Sequence, residues 1–369
     1  MKLALIVPGG VDRSGVYRVI PCNLWLIERL ACRHEVHVFA MNQEPLPDDW
    51  ELGGSLVHNI GTTPGRRRRL VAKFATIHRA RPFDVVHAFF GGCGAAAACL
   101  GWRHRIPVIV HASGGEFVGL GEIGYGMRCT LRGRLAMRLA TAGADRITVA
   151  TPYMQALAAA HGVHAERIPL GVALDVWPLS PPRARDFARP ARLLHVADIR
   201  PVKDQLTLLT AAGRLRDTGL DFLLDMVGFD TLDGDVQNSE AARRLSPIIR
   251  WHGVLRREPL RKLMTAADLL LVSSKHEAGP IVVLEAAVAG VPTVGTAVGH
   301  VAEFAPDAAV AVPIGDAEAL ARATATLLAD ENRRLALARE AQRRAAALDS
   351  DATARAFEGL YAELVAERD

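Results

Sequence analysis

Short apolar runs, each followed by a helix-length stretch, recur in two series along this chain. That alternation leaves little choice of architecture. The first series has runs at residues 3–7, 35–40, 84–90, 107–111 and 145–150. Helices are expected at about 16–33, after Gly91-Gly92, and around 153–160. Apolar runs lying between helices read as strands covered on both faces, the condition of a parallel sheet. The second series has runs at 192–197, 221–227, 248–251, 269–272 and 292–294. Between the series, residues 168–172 break the pattern. Pro178, Pro181, Pro182 and Pro190 then punctuate a stretch that also holds Arg183, Arg185 and Arg189. That stretch reads as an interdomain linker. The expectation is an α/β chain of two Rossmann-like, doubly wound domains, 1–172 and 173–349, with a ligand cleft facing the carboxyl ends of both sheets. With 369 residues, half of them apolar, the chain can fill two cores and is not a disordered one.

Charge divides the same way. Residues 1–172 carry 20 Lys and Arg against 12 Asp and Glu, and residues 173–369 carry 24 against 28. The small net charge of +4 therefore conceals one basic half and one mildly acidic half, which suggests different partners for each. The five cysteines (Cys22, Cys32, Cys93, Cys99 and Cys129) are odd in number and include no CxxC pair. Free thiols in a reducing, cytoplasmic setting fit better than disulfides or a zinc site. The first apolar run reads as a strand rather than a signal peptide, and no stretch reads as a transmembrane helix.

The most informative segment spans 274–292. Gly279 makes a turn after the strand 269–272, and Pro280 stands at the expected first helical position. The helix should run to about 289, and Gly290 ends it. Glu277 then lies just before a helix start and Glu285 lies eight positions later, about 12 Å along the axis. Between the two carboxylates, the first helical turn offers unpaired N–H groups and a positive dipole end, which suits phosphate. Hydroxyls at one carboxylate, phosphates at the helix start and ribose at the other describe a nucleotide-sugar.

The segment resembles the E-x7-E motif of retaining GT-B glycosyltransferases of family 4, through Ser274, Glu277, Gly279, Glu285, Ala286, Gly290 and Pro292, with Gly299 and Glu303 following. Ala278, Gly279, Pro280 and Ala287-Val288 depart from the usual pattern. Because Pro280 lacks an N–H, the resemblance shifts the phosphate contacts to Ile281 and Val282. The loop 195–206 is similar to the family's basic phosphate loop. Lys203 matches the family lysine, and Arg200 stands in for an arginine where this chain has Asp198. The resemblance implies that Glu277 holds sugar hydroxyls, Glu285 holds ribose, and Lys203 and Arg200 neutralise the diphosphate without a metal or other cofactor. It also implies transfer with retention, from a UDP- or GDP-sugar to a glycan or lipid-linked acceptor of cell-surface polysaccharide or glycolipid synthesis. Gly10 and Gly15 resemble the family's glycine-rich loop over the donor, and His111 stands two residues before the position where the family often has a histidine beside the reacting sugar. A last helix, over 350–369, would pack back on the first domain. A GT-B epimerase or phosphorylase, or a silent sugar-nucleotide binder, are the alternatives.

The remaining signal is basic. Arg66, Arg67, Arg68 and Arg69 precede the third run, and Arg128 and Arg132 are spaced to share one helical face. The expectation is a patch for an anionic acceptor or the inner membrane surface. No aromatic interleaving points to nucleic acid. The stretch 92–97 fits GxGxxA, yet no acidic residue ends the next run, so a dinucleotide is not expected.

Overall fold

A computed structural model describes residues 1–368; residue 369, the last of the expected terminal helix, lies outside the described residues. Contacts divide the chain into two compact units, Met1–Ala173 with the segment from Asp349, and Leu174–Leu348.

Unit 1 is built on eight strands: β1 (Lys2–Val7), β2 (Glu35–Ala40), β3 (Asp48–Leu52), β4 (Ser55–Asn59), β5 (Val85–Phe89), β6 (Val108–Ala112), β7 (Arg146–Val149) and β8 (Glu166–Arg167). Their order is β3-β4-β2-β1-β5-β6-β7-β8. All neighbours are parallel except β3 and β4, which form an antiparallel edge hairpin. The hairpin is a departure from the expected wholly parallel sheet. Gly53 and Gly54 connect it, at φ +55° and +78°, the positive values a two-residue hairpin turn demands. The first helix is also shorter than expected. It spans Pro21–Ala31, with proline at its first position, because the residues before it form a loop closed by a Val11–Val19 bridge.

The helix Ser350–Ala366 belongs to this unit. Asp349 caps it by accepting the Ala352 N–H at 2.6 Å, satisfying a donor the helix start leaves open. Phe357, Leu360, Tyr361 and Leu364, spaced for one face, are buried with Leu3, Leu5, Val85 and Ile109. Within that core the Tyr361 hydroxyl meets His87 Nδ1 at 2.7 Å.

Unit 2 has six parallel strands: β9 (Ala191–Val196), β10 (Phe222–Val227), β11 (Ile249–Gly253), β12 (Leu269–Val272), β13 (Thr293–Thr296) and β14 (Ala309–Val312), ordered β11-β10-β9-β12-β13-β14. The last of these was not expected from the sequence. Arg334, buried on the helix Glu331–Ala347, donates to the carbonyls of Asp268 (3.2 Å) and Arg183 (2.7 Å) and pairs with Glu331. The linker arginine stretch is thereby tied to the sheet.

Candidate functional site

The order of the unit 2 strands reverses at one place. From β9 the chain winds outward to β10 and β11, then returns to β12 on the other side of β9 and winds out through β13 and β14. Loops leaving the carboxyl ends of β9 and β12 diverge there, and in open α/β sheets that opening is where ligands sit. The two loops are 197–204 and 273–280, the segments that carry Arg200, Lys203 and Glu277.

Both loops are fixed by bonds to each other. Ser273 Oγ donates to the Lys203 carbonyl at 2.8 Å, and the Lys275 N–H donates to the Val202 carbonyl at 2.8 Å. Lys203 Nζ is then 2.6 Å from Glu277 Oε1, and Ser274 Oγ donates to the same oxygen at 2.6 Å. Behind them, His195 lies buried with Nδ1 2.9 Å from the Leu271 carbonyl and Nε2 3.3 Å from Gln205 Nε2. A carbonyl can only accept, so Nδ1 carries the proton and Nε2 accepts from Gln205. Burial pushes the His195 pKa down to about 4, so the ring stays neutral. Gln205 also donates to the Asp198 carbonyl at 3.0 Å and so braces the basic loop. The sequence showed Ser274 as a motif residue but not its bond to Glu277, and it gave His195, Gln205 and Ser273 no role. Arg200 is exposed at the start of the turn Pro201–Lys203 and has no carboxylate partner among the described residues.

The helix after the second loop spans Ile281–Val288, one residue shorter at its start than expected. Pro280 is its cap residue rather than its first turn, with ψ 109°. No side chain caps this start, and Val283 N–H bonds the Pro280 carbonyl, so the N–H groups of Ile281 and Val282 remain open. Gly299 lets the next segment close against this turn. At φ +49°, an added Cβ would stand 2.6 Å from Pro280 Cδ and 3.1 Å from the Glu277 carbonyl oxygen. Gly279 lies half-buried between Glu277 and the helix start.

Glu285 is 6% exposed on this helix and no group among the described residues hydrogen-bonds its carboxylate. Burial raises its pKa to about 8, with the Arg257 charge acting the other way. A buried carboxyl without a donor carries a desolvation cost, which hydroxyl donors from a ligand would relieve.

Sequence models place the chain. The glycosyl transferases group 1 model matches residues 183–344, and the glycosyl transferase 4-like domain model matches 19–171. Each unit thus matches a glycosyltransferase domain model, and the chain has the GT-B fold. Residues of this chain are 34% identical over 183 positions to a D-inositol 3-phosphate glycosyltransferase from Salinispora tropica, covering 47% of this chain and 38% of that protein. The chain thus spans about two fifths of that relative's length. Among solved structures, a sucrose-phosphate synthase from Thermosynechococcus elongatus superposes with a TM-score of 0.78 at 21% identity, over all of both chains. Anabaena HepE, solved in complex with UDP-glucose, superposes with a TM-score of 0.72 at 17% identity, over 100% of each chain.

The remaining expected site residues of this GT-B chain lie in unit 1. Its strand order reverses between β1 and β5, so the loop with Gly10 and Gly15 leaves a carboxyl end at that opening. Gly10, at φ +79°, is needed by the loop itself, since a Cβ there would meet Ile20 Cγ1 at 2.5 Å. His111 corrects its expectation. Fully buried on β6, it bonds Thr148 Oγ1 at 2.9 Å and packs against Phe89 and Phe357. Burial pushes its pKa down to about 3, so the ring is neutral, and its contacts are those of a core histidine rather than of an exposed loop residue.

The basic residues are corrected in two places. Arg69 is a structural clamp, donating to the carbonyls of Ile60 (2.9 Å), Thr63 (2.8 Å) and Pro64 (2.8 Å). Arg128 and Arg132 do not share a helix face. Arg128 lies in a short turn, Met127–Cys129, and Thr130 starts a separate helix, Leu131–Ala142, by accepting the Gly133 N–H at 3.0 Å. Arg66, Arg67 and Arg68 are exposed in the first turn of the helix Arg66–Ala80.

Proposed function

We propose that this protein is a retaining glycosyltransferase of family 4 that takes a sugar from a UDP- or GDP-sugar and passes it to a glycan or lipid-linked acceptor. The observation that carries the reading is the arrangement at the unit 2 opening. An unpartnered, buried carboxyl (Glu285) follows open helix N–H groups and a clamped Lys203–Glu277 pair, in the order ribose, diphosphate and sugar require. In this reading Glu285 accepts from the ribose hydroxyls. Ile281 and Val282 N–H, Lys203 and Arg200 carry the diphosphate charge in place of a metal, and Glu277 meets the sugar hydroxyls. The charge on the leaving phosphate is stabilised by preorganised donors, the largest kind of electrostatic contribution to such transfer. The likeness to HepE, solved with UDP-glucose, supports the donor class. The acceptor lies with unit 1, whose unpaired arginines favour an anionic one.

The test is nucleotide release from a panel of UDP-, GDP- and ADP-sugars, with and without acceptor extracts. A transferase consumes its donor only when acceptor is present, and a chelator leaves the rate unchanged. Interconversion of donor alone would instead show an epimerase. Turnover only with inorganic phosphate would show a phosphorylase, and donor binding without turnover under any acceptor would show a silent binder.

A further inference from the structure

The helix Leu131–Ala142 turns leucines to water. Leu131, Leu135 and Leu139, four residues apart, are 77%, 59% and 49% exposed, while Met137 and Ala140 on the other side are buried. Single exposed leucines are ordinary, but a full stripe along one helix face is not. Successive residues turn about 100° around a helix, which places Arg132 on one flank of the stripe and Arg134 and Arg138 on the other. The stripe continues into a groove of about 430 Å³, lined by Ala95, Ala96 and Cys99 of the helix Gly91–His104 together with Leu135 and Leu139. Arg66, Arg67 and Arg132 also line it. Gly92, three residues beyond the end of β5, and Met41, one beyond the end of β2, place the groove at the carboxyl edge of the sheet.

The charges around this groove are uncompensated. Arg66, Arg67, Arg68, Arg128, Arg132, Arg134 and Arg138 have no carboxylate within 4.0 Å among the described residues. Elsewhere in the unit Arg13, Arg18, Arg29, Arg33 and Arg81 are each paired, whereas Arg79, Arg103 and Arg105, which do not line the groove, have no carboxylate within 4.0 Å among the described residues. Unpaired cations flanking an apolar stripe complement a layer of anionic headgroups over acyl chains. A neutral surface would leave the arginines unanswered, and a soluble polyanion would leave the leucines in water.

We propose that the helix Leu131–Ala142 and its groove form a membrane-docking surface, in which the leucines enter an anionic bilayer, one acyl chain occupies the groove and the arginines hold lipid phosphates. No helix among the described residues is long and apolar enough to cross a membrane. Attachment that rests on exposed arginines is weakened by salt. It is read from unit 1 alone and does not depend on the donor assignment.

Flotation with phosphatidylcholine vesicles, with and without phosphatidylglycerol, tests it. Anionic vesicles should recruit the protein, neutral ones should not, and high salt should release it. Leu135→Glu, and Arg132→Glu with Arg138→Glu, alter exposed side chains and should each weaken recruitment by about tenfold or more. Gly92→Leu fills the groove. A Cβ at Gly92 meets nothing within 4 Å, and leucine favours a helix over glycine, so the variant should fold and float several-fold less. Equal recruitment by neutral and anionic vesicles, or none by either, would overturn the proposal. So would undiminished recruitment of Leu135→Glu, or equally tight capture by a soluble acidic polypeptide. Nucleotide-sugar binding, measured on the same samples, reports the donor reading separately.

Discussion

Glu285→Gln should have two opposite effects, weaker donor binding and a more stable ligand-free fold above neutral pH. The side chain stays the same size, but the ionised form is lost. Two hydroxyl donors to a carboxylate are worth about 1.5–3 kcal/mol each, so loss of the charge should cost about 2–3 kcal/mol, about 30- to 150-fold in donor affinity. The pH dependence gives the sharper test. Burial holds the Glu285 pKa at about 8 in the ligand-free protein, so the group is mostly protonated at pH 7. Ribose donors favour the carboxylate, so binding releases a proton and affinity climbs as pH rises toward about 8, then levels off. Stability runs the other way. The folded pKa lies above the ordinary carboxyl value, so the native state holds the extra proton between the two. Stability is therefore full below the ordinary value and falls as pH rises through that window. In the glutamine variant both slopes flatten. Its melting temperature should exceed the native one at pH 8 and match it near pH 4, with each 1 kcal/mol worth about 2–4 °C in a unit of this size. Titration calorimetry across pH, with thermal melts of both proteins, reads both effects. A donor affinity independent of pH in the native protein would remove Glu285 from the site.

Phe357→Ala should cost about 3–5 kcal/mol, the range for deleting a buried phenylalanine from a core that cannot collapse around the gap. Phe357 is fully buried on the helix Ser350–Ala366, with ring centroids 4.5 Å from His87 and 5.7 Å from His111. The helix packs over both histidines, which burial keeps neutral, and its Tyr361 bonds His87. The substitution therefore removes packing and admits water to two uncharged rings. Phe357→Leu, which keeps most of the volume, should cost much less. Urea unfolding followed by circular dichroism measures both, and a loss below about 1 kcal/mol for the alanine variant would show that the last helix is not part of this core.

The strands that carry the site were legible because they are buried on both faces. The runs at 192–197 and 269–272 fall within a residue or so of β9 and β12, so the loops bearing Lys203 and Glu277 were placed correctly after them. The β3–β4 hairpin escaped because β3, DDWEL, is an exposed polar edge without apolar alternation, although Gly53-Gly54 was a usable turn signal. The Arg128–Arg132 error had a visible remedy in Thr130, a natural helix start that divides the stretch. Other features join residues far apart in the chain, and no local pattern reports them. Ser273 anchors a carbonyl 70 residues away, and His111 is buried by a helix from the far terminus. The groove likewise needs three helices to be placed before Leu135 and Arg66 become neighbours of one cavity.

The opening between β9 and β12 is proposed to hold a nucleotide-sugar. The most direct measurement is a crystal structure with the nucleotide-sugar that raises the melting temperature most, since a ligand that binds only the folded state stabilises it. Ribose hydroxyls should lie within hydrogen-bond distance of Glu285, and the diphosphate at the N–H groups of Ile281 and Val282 with Lys203 beside it. The sugar should be at Glu277. A nucleotide seated elsewhere, with Glu285 still unpartnered and Lys203 still held by Glu277, would contradict it.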